Sequence, residues 1–482
     1  MNDGLYLNLR SSNSFLFKKT GRSLNVSISY KFGKREGRGG LYDNKSGSSF
    51  PRSYLDTSSR YNHNVQCDAS YDEPLIKNIF LKTKLVSNFQ AQLYRKSYWN
   101  ALIGKLDAFN SEDYSQNNIR NLGSAGLEYN SGQLSASVDF VAERLDMQRD
   151  DRLLSYKTEP KSAYSFYPNI KISGFFPKLT MNLDFQSYTN FEDAVLYSGV
   201  LNTLNPLYLS VGNPELGLMK GYVGVFVSSY NIPKANMNLS LFGSLNIQSR
   251  GLANKVTQFV SDTYLPEYDY TAPAGSQLTM PVSIKGQKFY LLRTGLDKSV
   301  FRIKSNFSFS LEYFLNETPF LLQVEGPLGS KDVSHINRNS NWRAAMKVNF
   351  FPSSKVNMDL EADGLRSLQF VDKALAFTSW QFSASLKSKI LLLKRIRIEP
   401  AFVWTKLDSQ RNEADYSRYM LDCSITYRFG KDYRGEVGVY CNNILDDLNV
   451  RSASLVDQAI LSQIDRSMLG RRAGLLLVYK FK

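Results

Sequence analysis

Apolar and polar residues alternate with a period of two along nearly the whole chain. In residues 23–32, Leu24, Val26, Ile28, Tyr30 and Phe32 share one face, while Ser23, Asn25, Ser27, Ser29 and Lys31 share the other. In residues 236–248, Met237, Leu239, Leu241, Leu245 and Ile247 oppose Asn236, Asn238, Ser240, Ser244, Asn246 and Gln248. Residues 303–313 repeat the pattern with Ile303, Phe307, Phe309, Leu311 and Tyr313. At the C-terminus, Leu475, Leu477, Tyr479 and Phe481 oppose Leu476, Val478, Lys480 and Lys482. A period of two is the signature of strands, because successive side chains leave opposite faces of a sheet. Helical periodicity is nearly absent, and 460–470 is the one stretch that reads as a short helix or loop.

Run length narrows the class. Strands in soluble sheets usually have about five or six residues. Many runs here last nine or more, enough to cross a bilayer at a tilt. A sheet in lipid cannot leave backbone groups unpaired, so the reading is a transmembrane antiparallel β-barrel with an apolar outside and a polar lumen. Leu24, Val26, Ile28, Leu239, Leu241, Phe307, Phe309 and Leu477 are expected outside. Asn25, Ser27, Asn238, Ser240, Ser308 and Val478 are expected inside. A soluble sandwich would instead bury the first set against a second sheet.

Turns fall into two kinds. Short ones are expected at 17–23, 129–133, 175–178, 230–236, 297–301, 350–355 and 392–395, and long polar connectors at 33–60, 99–117, 190–216, 249–285 and 446–466. Short turns on one rim and long loops on the other are the layout of outer-membrane barrels, with the short side periplasmic. This alternation gives about nineteen strands, within a range of 18–20. The first strand (4–17) and the last (468–482) then both descend to the short-turn rim. Complete bacterial barrels carry an even number of strands and begin on the periplasmic side. The expectation is therefore a barrel domain over 1–482 that is incomplete at its N-terminus. The opening "MNDGLYLNLRSSNSF" also lacks the layout of a secretion signal.

Composition agrees and removes alternatives. Hydrophobic residues make up 43% of the 482 residues and charged residues 21%, which excludes a disordered chain. No run approaches the ~20 apolar residues of a spanning helix. The 29 Tyr and 30 Phe suit strands and the two lipid–water boundaries of a membrane barrel. The net charge of +15 is scattered over turns rather than gathered on one element, so no nucleic-acid partner is expected. Cys67, Cys423 and Cys441 are too scattered for a disulfide framework or zinc site, and Cys423 reads as a small hydrophobe on an apolar face. Only His63 and His335 are present, and no G-x-S-x-G occurs. No catalytic residue, metal site or cofactor is expected, and the chain is not read as an enzyme.

Three stretches resemble a known family. The terminal strand ending on Tyr479 and Phe481 is similar to the signal by which outer-membrane barrels reach their insertion machinery, although Lys482 follows the aromatic. "NPLYLSVGNPELG" (205–217) looks like the "NP…GNP-L-PE" segment of TonB-dependent receptor-like outer-membrane barrels of Bacteroidetes. The family's Lys-Pro-Glu after the Leu is replaced here by Gly217, Leu218 and Met219. "VGVYCNNILDD" (437–447) resembles the "NLFD" element near the end of such receptors, carried by Asn443, Ile444, Leu445 and Asp446.

The resemblance implies the C-terminal barrel portion of a 22-stranded receptor or transporter in a bacterial outer membrane. Plug, TonB-contacting segment and signal peptide would be absent, so the TonB system would be reached only through the missing plug. The implied function is uptake of an unidentified ligand; the alternative is a complete, plugless channel or surface scaffold. Implied partners are outer-membrane lipids, including lipopolysaccharide, and the barrel-insertion machinery. For ligand contact, the loop "SDTYLPEYDY" offers Asp262, Tyr264, Glu267, Tyr268 and Tyr270, with aromatics to stack on a sugar or apolar ligand and acids to hold a cation. A solvated loop packed on its own strands is the plainer reading of the same residues.

Overall fold

The computed structural model describes residues 2–43, 52–100, 105–153, 156–157, 160–326, 329–410, 415–430, 434–446, 449–457, 460–467 and 470–479. These form an all-β structure dominated by one 22-stranded sheet. Tyr156–Lys157, Tyr208–Ser210 and Gln277–Ile284 are additions at one end of that sheet, which leaves nineteen wall strands. Each wall strand pairs antiparallel with the next, from Asn2–Leu16 to Arg472–Tyr479.

The ladders keep the two faces apart across the whole wall. Leu239 stands between Tyr230 and Leu296, Leu296 meets Phe309, and Phe309 meets Met346. The neighbouring row on the opposite face is Asn238, Asp297, Ser308, Lys347 and Glu361. Lys347 and Glu361 form an ion pair at 2.6 Å. At the other end of the wall, Leu24, Val26 and Ile28 face Tyr71, Ala69 and Cys67, whereas Asn25 and Ser27 face Ser70 and Asp68. Leu477 pairs with Val437, and Val478 with Glu436. A one-residue slip in any ladder would exchange these faces, so the pattern itself fixes the register. The apolar set packs against no second sheet among the described residues.

Aromatics border the apolar band on both sides. Tyr222 and Tyr230, Trp342 and Phe350, and Tyr419 and Tyr427 each lie on the apolar face of one strand, eight residues apart. Eight residues at about 3.4 Å span about 27 Å of strand. At a tilt of about 40° that covers about 21 Å along the membrane normal, most of the ~25 Å apolar band of membrane barrels.

Short turns lie at one rim at 17–22, 77–78, 131–133, 176–178, 233–236, 301–304, 354–355 and 393–395, and the opposite rim also carries a two-residue turn at 372–373. Those at 77–78 and 372–373 escape the sequence reading, and the expected turn at 297–301 sits at 301–304. Asn78 and Asn236 supply left-handed residues with φ of 66° and 48°, which Asn tolerates better than most side chains. The far rim departs further from expectation. Much of 33–60 and 99–117 continues as paired strand (Ser23–Asp43, Arg52–Ile76, Ile79–Asn100 and Lys105–Asn130) instead of loop. Residues 460–467, read as helix or loop, are a strand in a hairpin with Asn449–Asp457. The hairpin alternation of apolar and polar side chains there is too weak to distinguish it from an amphipathic turn of helix. Cys423 lies on the apolar face as expected and stands directly opposite Cys441, both as free thiols.

The two edge strands run in the same direction, because the eighteen antiparallel steps between nineteen strands return to the starting sense. Among the described residues no ladder joins Asn2–Leu16 to Arg472–Tyr479, and residues 4–20 are exposed throughout. Antiparallel closure between edges of equal sense takes an odd number of intervening strands.

An arginine on the apolar band should cost far more than one on the polar face. Leu241→Arg is expected to destabilise the protein refolded in lipid by about 2–4 kcal/mol, and Ser240→Arg by well under half of that. Denaturant titration in vesicles measures both, and equal costs would reject the assignment of faces.

Candidate functional site

The polar face carries its most built feature beside strands Arg52–Ile76, Ile79–Asn100, Lys105–Asn130 and Leu134–Asp151. The connector 191–218 leaves the rim and folds back onto this face. Its Phe191, Tyr197, Leu216 and Leu218 form a buried cluster with Leu145 and Met147 of the wall. Tyr197 is 1% exposed, and Asp193 caps the short 3-10 turn Ala194–Tyr197 by accepting from the Val195 N–H at 3.3 Å. Thr203 ties the connector to the neighbouring hairpin, donating its N–H to Asn110 Oδ1 at 2.8 Å. Lys161 Nζ donates to the Leu216 carbonyl at 2.8 Å.

The family-like segment 205–217 lies within this connector, and its residues have plain mechanical duties. Asn205 and Asn213 accept from the N–H groups of Leu207 and Glu215 at 3.1 and 2.8 Å, forming tight Asx turns. Asn213 Nδ2 also donates to the Pro281 carbonyl at 2.9 Å. A Cβ at Gly212 would collide with the Ser198 backbone, so only glycine permits this approach. The second family-like element is also a clasp. Asn443 N–H donates to Asp422 Oδ1 at 2.7 Å, Ile444 N–H to the Leu421 carbonyl at 2.8 Å, and Arg471 N–H to Asp446 Oδ1 at 2.8 Å.

Beneath the connector the wall presents a lattice of carboxamides. Asn62, Gln92 and Gln116 form one cross-strand row, Asn64, Gln90 and Asn118 the next, and Gln66 and Asn88 a third that ends on Arg120. A recess of about 290 Å³ opens over them, roofed by Asn190, Phe191, Glu192 and Asp193. Gln116 is 2% exposed and donates to Asn118 Oδ1 at 3.1 Å. With the Gln92 amide turned to satisfy its neighbours, its oxygen accepts from Arg60 Nε and Nη2, both at 2.6 Å. Arg120 is ion-paired with Glu143, whose side chain is fully buried. Just above, the Arg149 guanidinium stacks 3.8 Å from the centre of the Tyr114 ring. Two acceptor atoms of lining residues, Gln116 Oε1 and Glu192 Oε1, are fully enclosed without a hydrogen-bond partner.

The sequence reading passed over this site. Its signal was nonetheless present as a period of two in one residue class: Asn62, Asn64, Gln66; Asn88, Gln90, Gln92; Gln116, Asn118. That alternation was visible, but the register that stacks the three runs was not.

The loop chosen from sequence folds as a small hairpin, Thr263–Leu265 with Tyr270–Ala272, around Pro266–Tyr268. Tyr264 is 56% exposed and donates to Asp269 Oδ1 at 2.8 Å, which holds its hydroxyl above the usual tyrosine value. Tyr268 and Tyr270 pack instead on a second buried cluster containing Leu201, Leu209, Val211, Phe259 and Ala272. Asp262 accepts from the Ala274 N–H at 2.7 Å, and Glu267 is exposed. The five residues are thus brought into one hairpin but do not converge on one space. Tyr479 is exposed on the apolar face opposite Gly435, and Phe481 lies outside the described residues.

Tyr197→Ala should loosen the connector by about 3 kcal/mol, the scale of a buried aromatic truncated to alanine, and raise limited proteolysis within 191–218 accordingly. Tyr264→Ala should leave that cleavage unchanged. Indistinguishable cleavage in the Tyr197 variant would show that the aromatic cluster does not hold the connector.

Burial, then the neighbouring Asp193, holds the Glu192 carboxyl above its ordinary value. Arg60, Arg120 and Asp193 line the same recess. A raised value in the docked state means that the charged form opposes docking, so protection should increase as the pH falls through that value. Hydrogen exchange of 191–218 from neutral to mildly acid pH should show this trend, and Glu192→Gln should flatten it.

No family model matches the chain, and no curated protein matches it. Solved structures similar to it include the ferric citrate transporter FecA in its unliganded form, at 10% identity and a TM-score of 0.44, covering 99% of this chain and 62% of that one. The copper transporter OprC is 9% identical with a TM-score of 0.39, covering 100% of this chain and 80% of that one. The siderophore receptor PirA from Pseudomonas aeruginosa is 10% identical with a TM-score of 0.33, covering 98% and 76%.

Proposed function

We propose that this chain forms the barrel wall of a TonB-dependent outer-membrane receptor that takes up a solute through its lumen. The observation that carries the reading is the two-faced wall. An apolar band bordered by aromatics faces outward, and a polar face onto which a connector folds back faces inward. The outer face fits lipid, and the inner face offers hydrogen-bonding groups along a route between the rims. The segments 205–217 and 443–446, which resemble those receptors, support the same reading by holding the connector and the last hairpin. In that family three further strands would complete a 22-stranded ring between the parallel edges, and a plug in the lumen would gate the route. The wall contributes enclosure, the recess and the connector; gating and energy input would come through the plug. The short-turn rim then faces the periplasm and the hairpin at Tyr264 faces outward from the cell.

Deleting the gene is expected to abolish uptake of one solute, and the same solute should be lost when TonB is removed. Tyr264→Cys should react with a membrane-impermeant maleimide on intact cells, and Lys234→Cys only after permeabilisation. Uptake that persists without TonB, together with steady open-pore conductance in a planar bilayer, would replace the receptor reading with a passive channel.

A further inference from the structure

We propose that Cys423 and Cys441 are a cross-strand modification site, joined in the cell as a disulfide that staples the last hairpin to the wall. This goes beyond the transport reading and uses only its placement of the chain in the cell envelope, where thiols meet oxidants.

The ladder brings together what sequence spacing keeps apart. Cys423 of Tyr416–Phe429 and Cys441 of Gly435–Asn442 are direct antiparallel partners, and both are free thiols in the structure. Facing residues of an antiparallel pair stand about 4.5–5.5 Å apart at Cα, within the range of about 4.4–6.8 Å that a disulfide spans. Their Cβ atoms must close by roughly 1 Å from the usual facing distance. That adjustment is local, because this is the last pair of its ladder and the chain soon turns away at Asn443, left-handed with φ of 53°.

The pair also marks a weak point. Cys423 lies midway between Tyr419 and Tyr427 on the same apolar face, and hence near the centre of the lipid band. The ladder that starts at Phe429 and Gly435 ends there. Beyond it the two segments are held by the N–H groups of Asn443 and Ile444, which donate to Asp422 Oδ1 and the Leu421 carbonyl. A fork opening at that depth would turn paired backbone groups toward hydrocarbon, where nothing replaces their partners. Arg472–Tyr479 pairs, among the described residues, with Gly435–Asn442 alone, so the edge strand stays in place only while this fork stays shut. A covalent bond across the fork holds it.

The chemistry is thiol–disulfide exchange with an envelope protein that carries an oxidising disulfide. One cysteine thiolate attacks a sulfur of that disulfide, forming a mixed disulfide and releasing one thiolate of the oxidant. The second cysteine thiolate then attacks the first cysteine's sulfur. The Cys423–Cys441 bond forms and the oxidant leaves as its dithiol, having gained two electrons and the two thiol protons. The step belongs before insertion, since hydrocarbon later excludes water and oxidant alike. In the unfolded chain, 424–440 is a far shorter loop to close than any that starts at Cys67, so the same partners are favoured before the ladder exists. Cys67 faces Ile28 and Ser87 on its two neighbours and serves as the internal control.

The test is thiol counting by mass spectrometry on the full chain taken from cells, acid-quenched and denatured before labelling with a maleimide. Of the three cysteines, Cys67 alone should be labelled without reduction and all three after it, with the link itself seen as a joined peptide. Chain refolded in detergent with glutathione disulfide should form the same link. Reduction should then speed amide exchange across 435–442 by about tenfold or more and leave 24–29 unchanged. Cys423→Ala combined with Cys441→Ala should exchange at the reduced rate in either redox state, and Cys67→Ala should behave as the unsubstituted chain. Heat-dependent gel mobility establishes that each variant is folded. Labelling of all three cysteines without reduction, in cells and after oxidation in vitro, overturns the pairing. A link that forms in vitro and is absent from cells overturns the modification in the cell. A link whose reduction leaves exchange at 435–442 unchanged overturns the staple. The transport reading fails on a different result, uptake that persists without TonB.

Discussion

Backbone hydrogen bonding between neighbouring strands is the constraint on which the rest of this structure depends. In hydrocarbon, an unpaired N–H or C=O has no water to turn to, and each costs several kcal/mol. The chain meets this with an unbroken series of antiparallel ladders, each strand paired to the one before and the one after. Once those ladders are set, side-chain direction is no longer free. Every second residue must face lipid and every other one the lumen, so Leu239, Leu296 and Phe309 share a row as do Asn238, Asp297 and Ser308. The same constraint makes the two outer edges the weakest part of the wall. Asn2–Leu16 and Arg472–Tyr479 run in the same sense, and among the described residues each presents one unpaired side.

The wall was legible in the sequence because lipid imposes a demand that can be read one residue at a time. Leu24, Val26, Ile28 and Leu477 announce their face by hydropathy alone, and strand number follows from counting such runs. What was not legible depended on partners distant in the chain. Residues 33–60 and 99–117 read as polar loops because their strands rise past the apolar band, where water on both faces removes the alternation while the ladders continue. The strand Ile460–Ser467 was hidden for the same reason. The turn at 77–78 was missed because two residues, with Asn78 left-handed, suffice to reverse the chain.

The candidate site shows the same division. Tyr264, Tyr268 and Tyr270 look alike in sequence, yet Tyr264 is exposed while Tyr268 and Tyr270 pack on residues from 201–211 and Phe259. Nothing local distinguishes them, since the difference comes from a connector some sixty residues earlier. Conversely, Leu145 and Met147 sit on the polar face, where isolated apolar residues would be costly. Phe191, Tyr197, Leu216 and Leu218 explain them by covering that patch. Apolar residues on the lumen side of a barrel strand are thus a sequence mark for an inward-folding segment.

The argument extends to polar residues. On the lipid face, composition is dictated by the membrane and says little about function. On the lumen face any polar residue keeps the wall soluble in its aqueous interior, and most of this wall uses a mixture of Ser, Asp, Lys and Arg whose charges pair across strands, as Arg338 does with Glu317 at 2.6 Å and Lys347 with Glu361. Eight carboxamides gathered on three strands depart from that mixture without any gain in wall stability, since neutral pairs are no stronger than the charged ones they replace. Asn88, Gln90, Gln92, Gln116 and Asn118 line the recess under the connector 191–218, which carries its own buried cluster. A face free to be merely hydrophilic is thus uniform in chemistry where a segment roofs it.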